Sequence, residues 1–209
     1  MGVLSLVARL ALRDLRRRRA QALLLLIAIA ATTTTLTLGL VVRGVAERPW
    51  DRTRAATAGP DAVATASGAG GLAALAHAPG VTGTAGPYPV VAVDDLRVRN
   101  LRVAASVQGR DADPGPVDRP QVTAGTWVRP GGVVVERAFA GALRVRPGEA
   151  IVLAGHRLRV AGVAITAARV PYPSATPGLV WTTRADLRRL GRPVTGQVLP
   201  LRLADPATV

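Results

Sequence analysis

From Ala20 to Val42 the chain runs for 23 residues without a charged side chain, directly after Arg16-Arg17-Arg18-Arg19. At about 1.5 Å rise per residue, a helix of this length crosses a hydrocarbon core of about 30 Å with some tilt. Eleven of the 23 are Leu, Ile or Val and five are Thr. At roughly −0.3 to −0.6 kcal/mol each on an insertion scale, the aliphatic residues outweigh the threonines. The pattern predicts a transmembrane helix over 20–42. Ahead of it, Leu4, Val7, Ala8, Ala11, Leu12 and Leu15 recur at i, i+3, i+4 spacing, with Arg9, Arg13, Arg16 and Arg17 opposite them. This reads as a cytoplasmic amphipathic helix over 1–19, lying on the membrane surface with its arginines on lipid phosphates. Leu6 and Leu10 blur the stripe, and a long signal n-region with accidental periodicity is the other reading.

After the apolar run the pattern changes. Residues 43–60 are polar and mixed in charge, a juxtamembrane connector in which Trp50 is placed to touch the interface. Asp61 to Thr65 can open a domain as a short strand. Ser67-Gly68-Ala69-Gly70-Gly71 is a break, and Leu72 to Ala78 a short helix ended by Pro79-Gly80. Val90, Val91 and Val93 predict one strand. Leu96/Val98 and Leu101/Val103 predict a hairpin around Arg99-Asn100, continued by Val107. Asp111 to Pro120 reads as a loop. Val133 to Glu136 predicts a buried strand, Arg137 to Leu143 a helix, Ile151 to Leu153 a strand. Gly155-His156 turns the chain into Leu158, Val160 and Val163. Pro171-Tyr172-Pro173 opens a loop that ends near Leu179-Val180-Trp181. Thr183 and Asp186 form a capping box for a last helix with Leu187 and Leu190 on its apolar face and Gly191 as its stop. Short strands mixed with short helices predict an α+β domain over 61–195, with 196–209 as a tail.

Charge fixes direction. Six arginines and one acid precede the apolar run, whereas Arg43, Arg48, Arg52 and Arg54 after it are diluted by Glu47 and Asp51. The excess at Arg16, Arg17, Arg18 and Arg19 places the N-terminus in the cytoplasm and the domain outside the cell membrane. The net charge of +14 could also serve nucleic acid, but the dense cluster abuts an apolar span and aromatic residues are only 3% of the chain. A base-stacking platform is therefore not expected. With no cysteine, disulfides and thiolate sites are excluded. All 27 basic residues are Arg, which fits a GC-rich bacterial genome.

A cleaved signal is the rival to a retained anchor, since Gly44-Val45-Ala46 offers small residues for a cut. The apolar run is longer than the usual h-region of about 7–15 residues, which favours retention. Within it, Ala31, Thr35 and Gly39 are spaced by four, as are Ala28 and Thr32 on a neighbouring face. Small residues at this spacing let a second helix approach, although an Ala-rich composition supplies such spacing freely.

No constellation for catalysis or metal binding stands out. His77 and His156 have no partner at ligand spacing, and Asp94-Asp95 and Asp111/Asp113 lie in turn-like sequence without a calcium-loop pattern. Gly-x-Ser-x-Gly and Walker patterns are absent. The chain is not expected to be an enzyme.

Three stretches in order carry a likeness. They are Leu72-Ala-Ala-Leu-Ala-His-Ala-Pro-Gly-Val81; Val107-Gln-Gly-Arg-Asp111 followed by Val122-Thr-Ala-Gly-Thr126; and Gly132 to Glu149 followed by Ile151 to Val163. Preceded by a basic amphipathic helix and one span, they resemble the N-terminal part of an FtsX/MacB-type ABC transporter permease with its MacB-like extracytoplasmic core domain. The resemblance implies a permease subunit that couples a separate cytoplasmic ATPase to movement of the outer domain. The output would be export, lipoprotein handling or cell-envelope regulation. It implies no cofactor on this chain, with ATP held by the partner subunit. Expected partners are membrane lipid, that ATPase, and other permease helices or a second permease copy. Such permeases have further spans after the outer domain, and no second apolar span occurs before Val209. The expected reading is the N-terminal portion of a longer permease or a truncated product. The alternative is a single-pass anchored domain that binds a partner or ligand.

Replacing Arg16 to Arg19 with Gln is expected to erode the N-in orientation, because the flanking charge difference collapses. Reporter fusions placed after residue 60 should then split between the two sides of the membrane, whereas the unaltered chain exposes them only outside. Thr35→Leu with Gly39→Leu is expected to lower the crosslinking yield to neighbouring membrane helices. An unchanged yield removes the packing role of that stripe.

Overall fold

The computed structural model describes residues 19–68 and 71–206, without the side chains of residues 22 and 41–48. The surface helix expected over 1–19, except Arg19, and part of the break at 67–71 lie outside the described residues. The chain divides into two compact units, Met1–Pro49 and Trp50–Val209.

Helix α1 runs Arg19–Ala56. Its stretch Arg19–Leu40 is long and apolar enough to cross a membrane, and none of it is buried in the structure. Leu23 to Ile27, Ile29, Leu36, Leu38 and Leu40 are all exposed, as a lipid-facing surface requires. The threonines that weaken the span in a hydropathy reading are satisfied internally. The hydroxyls of Thr32, Thr33, Thr34, Thr35 and Thr37 each donate to a carbonyl four residues back at 2.7–2.9 Å. In hydrocarbon this spares the cost of an unsatisfied hydroxyl. The connector expected over 43–60 is a correction: the helix continues to Ala56 with Pro49 inside it.

The helix ends in a Schellman motif. Ala58 takes a left-handed φ of 45°, its N–H donates to the Ala55 carbonyl, and the Gly59 N–H donates to the Arg54 carbonyl at 2.7 Å. Glycine is needed at 59, where a Cβ would approach Arg54 Cγ to 2.7 Å. The last free carbonyls then find partners in a distant loop: Arg119 N–H donates to Thr57 at 2.7 Å and Asp118 N–H to Ala58 at 2.9 Å. Arg54 pairs with the Asp61 carboxylate, which also accepts the Leu203 N–H.

The folded unit is α+β, built on one mixed ten-stranded sheet. Its strands are β1 (Ala62–Ser67), β2 (Val81–Thr84), β3 (Tyr88–Val98), β4 (Leu101–Arg110), β5 (Gln121–Gly125), β6 (Gly132–Glu136), β7 (Ala150–Leu153), β8 (His156–Ile165), β9 (Gly178–Thr183) and β10 (Gly196–Leu203). The main order is β1-β10-β3-β4-β9-β6-β8-β5, with β2 beside β10 and β7 beside β3 and β8. The pairs β4–β9 and β6–β8 are parallel. The short helix expected over Leu72 to Ala78 is a 3-10 helix, Ala73–His77. The expected tail is a second correction, because residues 196–203 form β10 between β1 and β3. Leu199, Leu201 and Leu203 alternate as a strand does, but Pro200 among them argues against one.

Helices α2 (Arg137–Leu143) and α3 (Arg184–Arg189) cover one sheet face. Phe139, Leu143, Leu187 and Leu190 pack there on Val91, Leu96, Val107, Val135 and Val180. Both helix starts are capped. The Glu136 carboxylate accepts the N–H groups of Ala138 and Phe139 at 2.9 Å. Thr183 caps α3 through the Asp186 N–H, as expected, and the Asp186 carboxylate in turn accepts the Thr183 hydroxyl at 2.8 Å and the Gly131 N–H at 2.9 Å. The other face carries Val134, Leu179 and Trp181 under Val128 and Trp127. Trp181 is fully buried.

Two substitutions test this arrangement in the purified full chain, read by denaturant unfolding and Trp fluorescence. Ala58→Gly is expected to stabilise by about 0.5–1 kcal/mol, since glycine adopts the left-handed cap without the Cβ clash. Asp118→Ala is expected to destabilise by about 3–5 kcal/mol, because it strands a buried Arg110 charge. A loss below about 1 kcal/mol would show that the pair does not organise the domain.

Candidate functional site

Of the arginines that set the topology, Arg16 to Arg18 lie outside the described residues, and Arg19 is the first residue of α1. Ala28, Ala31, Thr32, Thr35 and Gly39 are exposed on the same helix. Thr32 and Thr35 are bonded back to the carbonyls of Ala28 and Ala31. Around Gly39 a Cβ would meet nothing within 4 Å. The described residues bring no second helix against this stripe.

The folded unit contains a site that the sequence reading did not single out. In β4, Ala105 and Val107 point to the helix-covered core, so Ser106, Gln108 and Arg110 point to the other face. The same parity puts Val63 and Thr65 of β1, Val198 of β10, Val90 of β3 and Leu179 of β9 on that face. Together these residues floor a cavity of about 280 Å³, with Asp118, Thr166, Ala168 and Arg169 from loops completing its wall.

Its chemistry centres on Asp118, which is fully buried. One carboxylate oxygen pairs with Arg110, and the other accepts the Thr166 hydroxyl at 2.6 Å. Arg110, 4% exposed, also donates to Gln108 Oε1 at 3.1 Å and to the Asp118 carbonyl at 3.3 Å. Its guanidinium lies 3.8 Å from the centre of the Tyr88 ring, a cation–π contact in a dry setting. Arg184 approaches the same ring at 5.4 Å while pairing with Asp111. The Arg110 Nε–H has no acceptor among the described residues. Arg169, half-buried, donates to the Pro177 carbonyl at 2.9 Å. Burial pushes its guanidinium down from the ordinary arginine value, and the charge of Glu136 opposes that shift.

The remaining polar candidates do not converge. His77 is exposed on the 3-10 helix, and His156 is exposed at the start of β8, just past a turn at Ala154-Gly155. Asp95 pairs with Arg192, Asp111 with Arg184, and Asp94 and Asp113 are exposed. Among the described residues no group of three His, Cys, Asp or Glu side chains is placed to hold a metal ion.

Compared with known proteins, the chain matches no family model. No curated protein matches it. Among solved structures it is similar to the extracellular domain of the noncanonic ABC-type transporter YknZ from Gram-positive bacteria. That likeness has 13% identity over 63% of this chain and 70% of that one, with a TM-score of 0.44. It is also similar to the periplasmic region of MacB from Actinobacillus actinomycetemcomitans, with 12% identity over 70% of this chain and 77% of that one, and a TM-score of 0.45.

Proposed function

We propose that this chain is a membrane-anchored permease component of FtsX/MacB type, whose extracytoplasmic α+β domain works with a separate cytoplasmic ATPase. The observation that carries the reading is α1. Its apolar stretch is exposed on all sides, is preceded by four arginines, and satisfies its own hydroxyls. Such a helix is built for lipid, and the charge asymmetry directs the folded unit after it to the outside. The ordered sequence likeness from Leu72 to Val163 supports the permease reading. A sheet braced by two capped helices suits a part that moves as a rigid body. Export, lipoprotein handling and cell-envelope regulation are the outputs this reading allows. The polar cavity favours a second reading, an anchored domain that binds a ligand or partner without an ATPase.

The two part in one experiment. The tagged chain, extracted in mild detergent from its native membrane, is expected to retain an ATP-hydrolysing subunit, with ATPase activity well above a tag-only control. Recovery of the chain with no associated ATP hydrolysis overturns the permease reading and leaves the anchored binding domain.

A further inference from the structure

One buried donor without a partner among the described residues, the Arg110 Nε–H, belongs to the lining of the cavity on the sheet face away from α2 and α3. Three ionisable side chains line it: Arg110 and Arg169 against the single acid Asp118. Asp118 is spent on Arg110 and Thr166. Arg169 makes no ion pair among the described residues and gives one N–H to a carbonyl. Arg110 keeps a buried Nε–H without an acceptor. The lining therefore carries two guanidinium groups and one carboxylate, with the charge of Glu136 also acting on Arg169, and at least one donor in want of an oxygen. The same lining holds Val63, Val90, Leu179 and Val198, with the small polar groups of Thr65 and Ser106.

We propose that this cavity binds a small amphipathic monocarboxylate, its head on the two arginines and its aliphatic body against the four apolar side chains. A carboxylate matches the planar donor fork of a guanidinium. An amine would face two arginines. A bare inorganic anion would leave the apolar part of the lining unused. Size sets the chain length. The cavity of about 280 Å³ has room for a short aliphatic chain. This inference stands apart from the permease reading, because it concerns the folded unit alone and needs no ATPase.

Isothermal titration of the purified full chain in detergent, with hexanoate, hexylamine and acetate as probes, tests it. Hexanoate is expected to bind saturably, with acetate and hexylamine weaker by about tenfold or more. Arg169→Gln is expected to weaken hexanoate by about tenfold or more while leaving the circular dichroism spectrum unchanged, since Arg169 contributes one carbonyl bond to the fold. Val63→Phe, on the half-exposed face of strand β1, fills the cavity without altering charge and is expected to block binding. Arg110→Gln is unsuited to the test because it unpairs Asp118. Absence of saturable hexanoate binding up to about 10 mM, equal binding of hexylamine, or hexanoate binding untouched by both substitutions each overturns the proposal.

Discussion

The fully buried carboxylate of Asp118 is the constraint around which the folded unit is arranged. Removing an acid and a guanidinium from water costs several kcal/mol per ion, and their attraction repays it only when the remaining valences are filled. Here they are largely filled from separate parts of the chain. Arg110 comes from the end of β4, Gln108 from the same strand, Thr166 from the segment after β8, and Tyr88 from β3. The acid therefore ties β4 to the segment after β8, although β4 and β8 share no direct pairing. The loop that brings Asp118 in is rich in Pro, Gly and Asp, with no apolar run to hold it. Its position rests on that ion pair, on Val117 packed beside Ala85 and Tyr88, and on two N–H groups given to the end of α1.

Much of the sheet was legible because burial on one face prints an alternation. The hairpin at Arg99-Asn100, the buried strand from Val133, the Thr183 cap and the left-handed Gly191 all stand where the pattern places them. The misreadings have physical causes. Val91 and Val93 face the core at odd positions, but Leu96 and Val98 do so at even ones. A bulge at Asp94-Asp95 inserts one residue opposite β4 and flips the parity. One 11-residue strand thus looks like two short ones. Strand β10 hides for another reason. Its core contacts are Leu199 and Leu201 on either side of Pro200, which lacks the donor a sheet interior demands. The helix past Val42 hides because Gly44, Pro49 and Asp51 are poor helix signals.

The cavity was illegible in sequence for a reason particular to arginine. Ser106, Gln108 and Arg110 alternate with Ala105, Val107 and Gly109, the signature of a strand with one wet face. That reading holds until a loop folds over the polar side. Nothing local distinguishes Asp118 from Asp111 or Asp113, yet Asp118 is fully buried and the other two are exposed. The difference lies in long-range partners, since Arg110 and Thr166 meet only through the parallel pairing of β4 with β9 and the course of the chain after β8.

Asp118 also serves two structures through different atoms. Its carboxylate lines the cavity and holds Arg110, while its backbone N–H, with that of Arg119, satisfies the carbonyls that end the helix. The same helix end is also held by Asp61, which takes Arg54 and the Leu203 N–H. Asp61 lies apart from the cavity, so the two ties differ in what can loosen them.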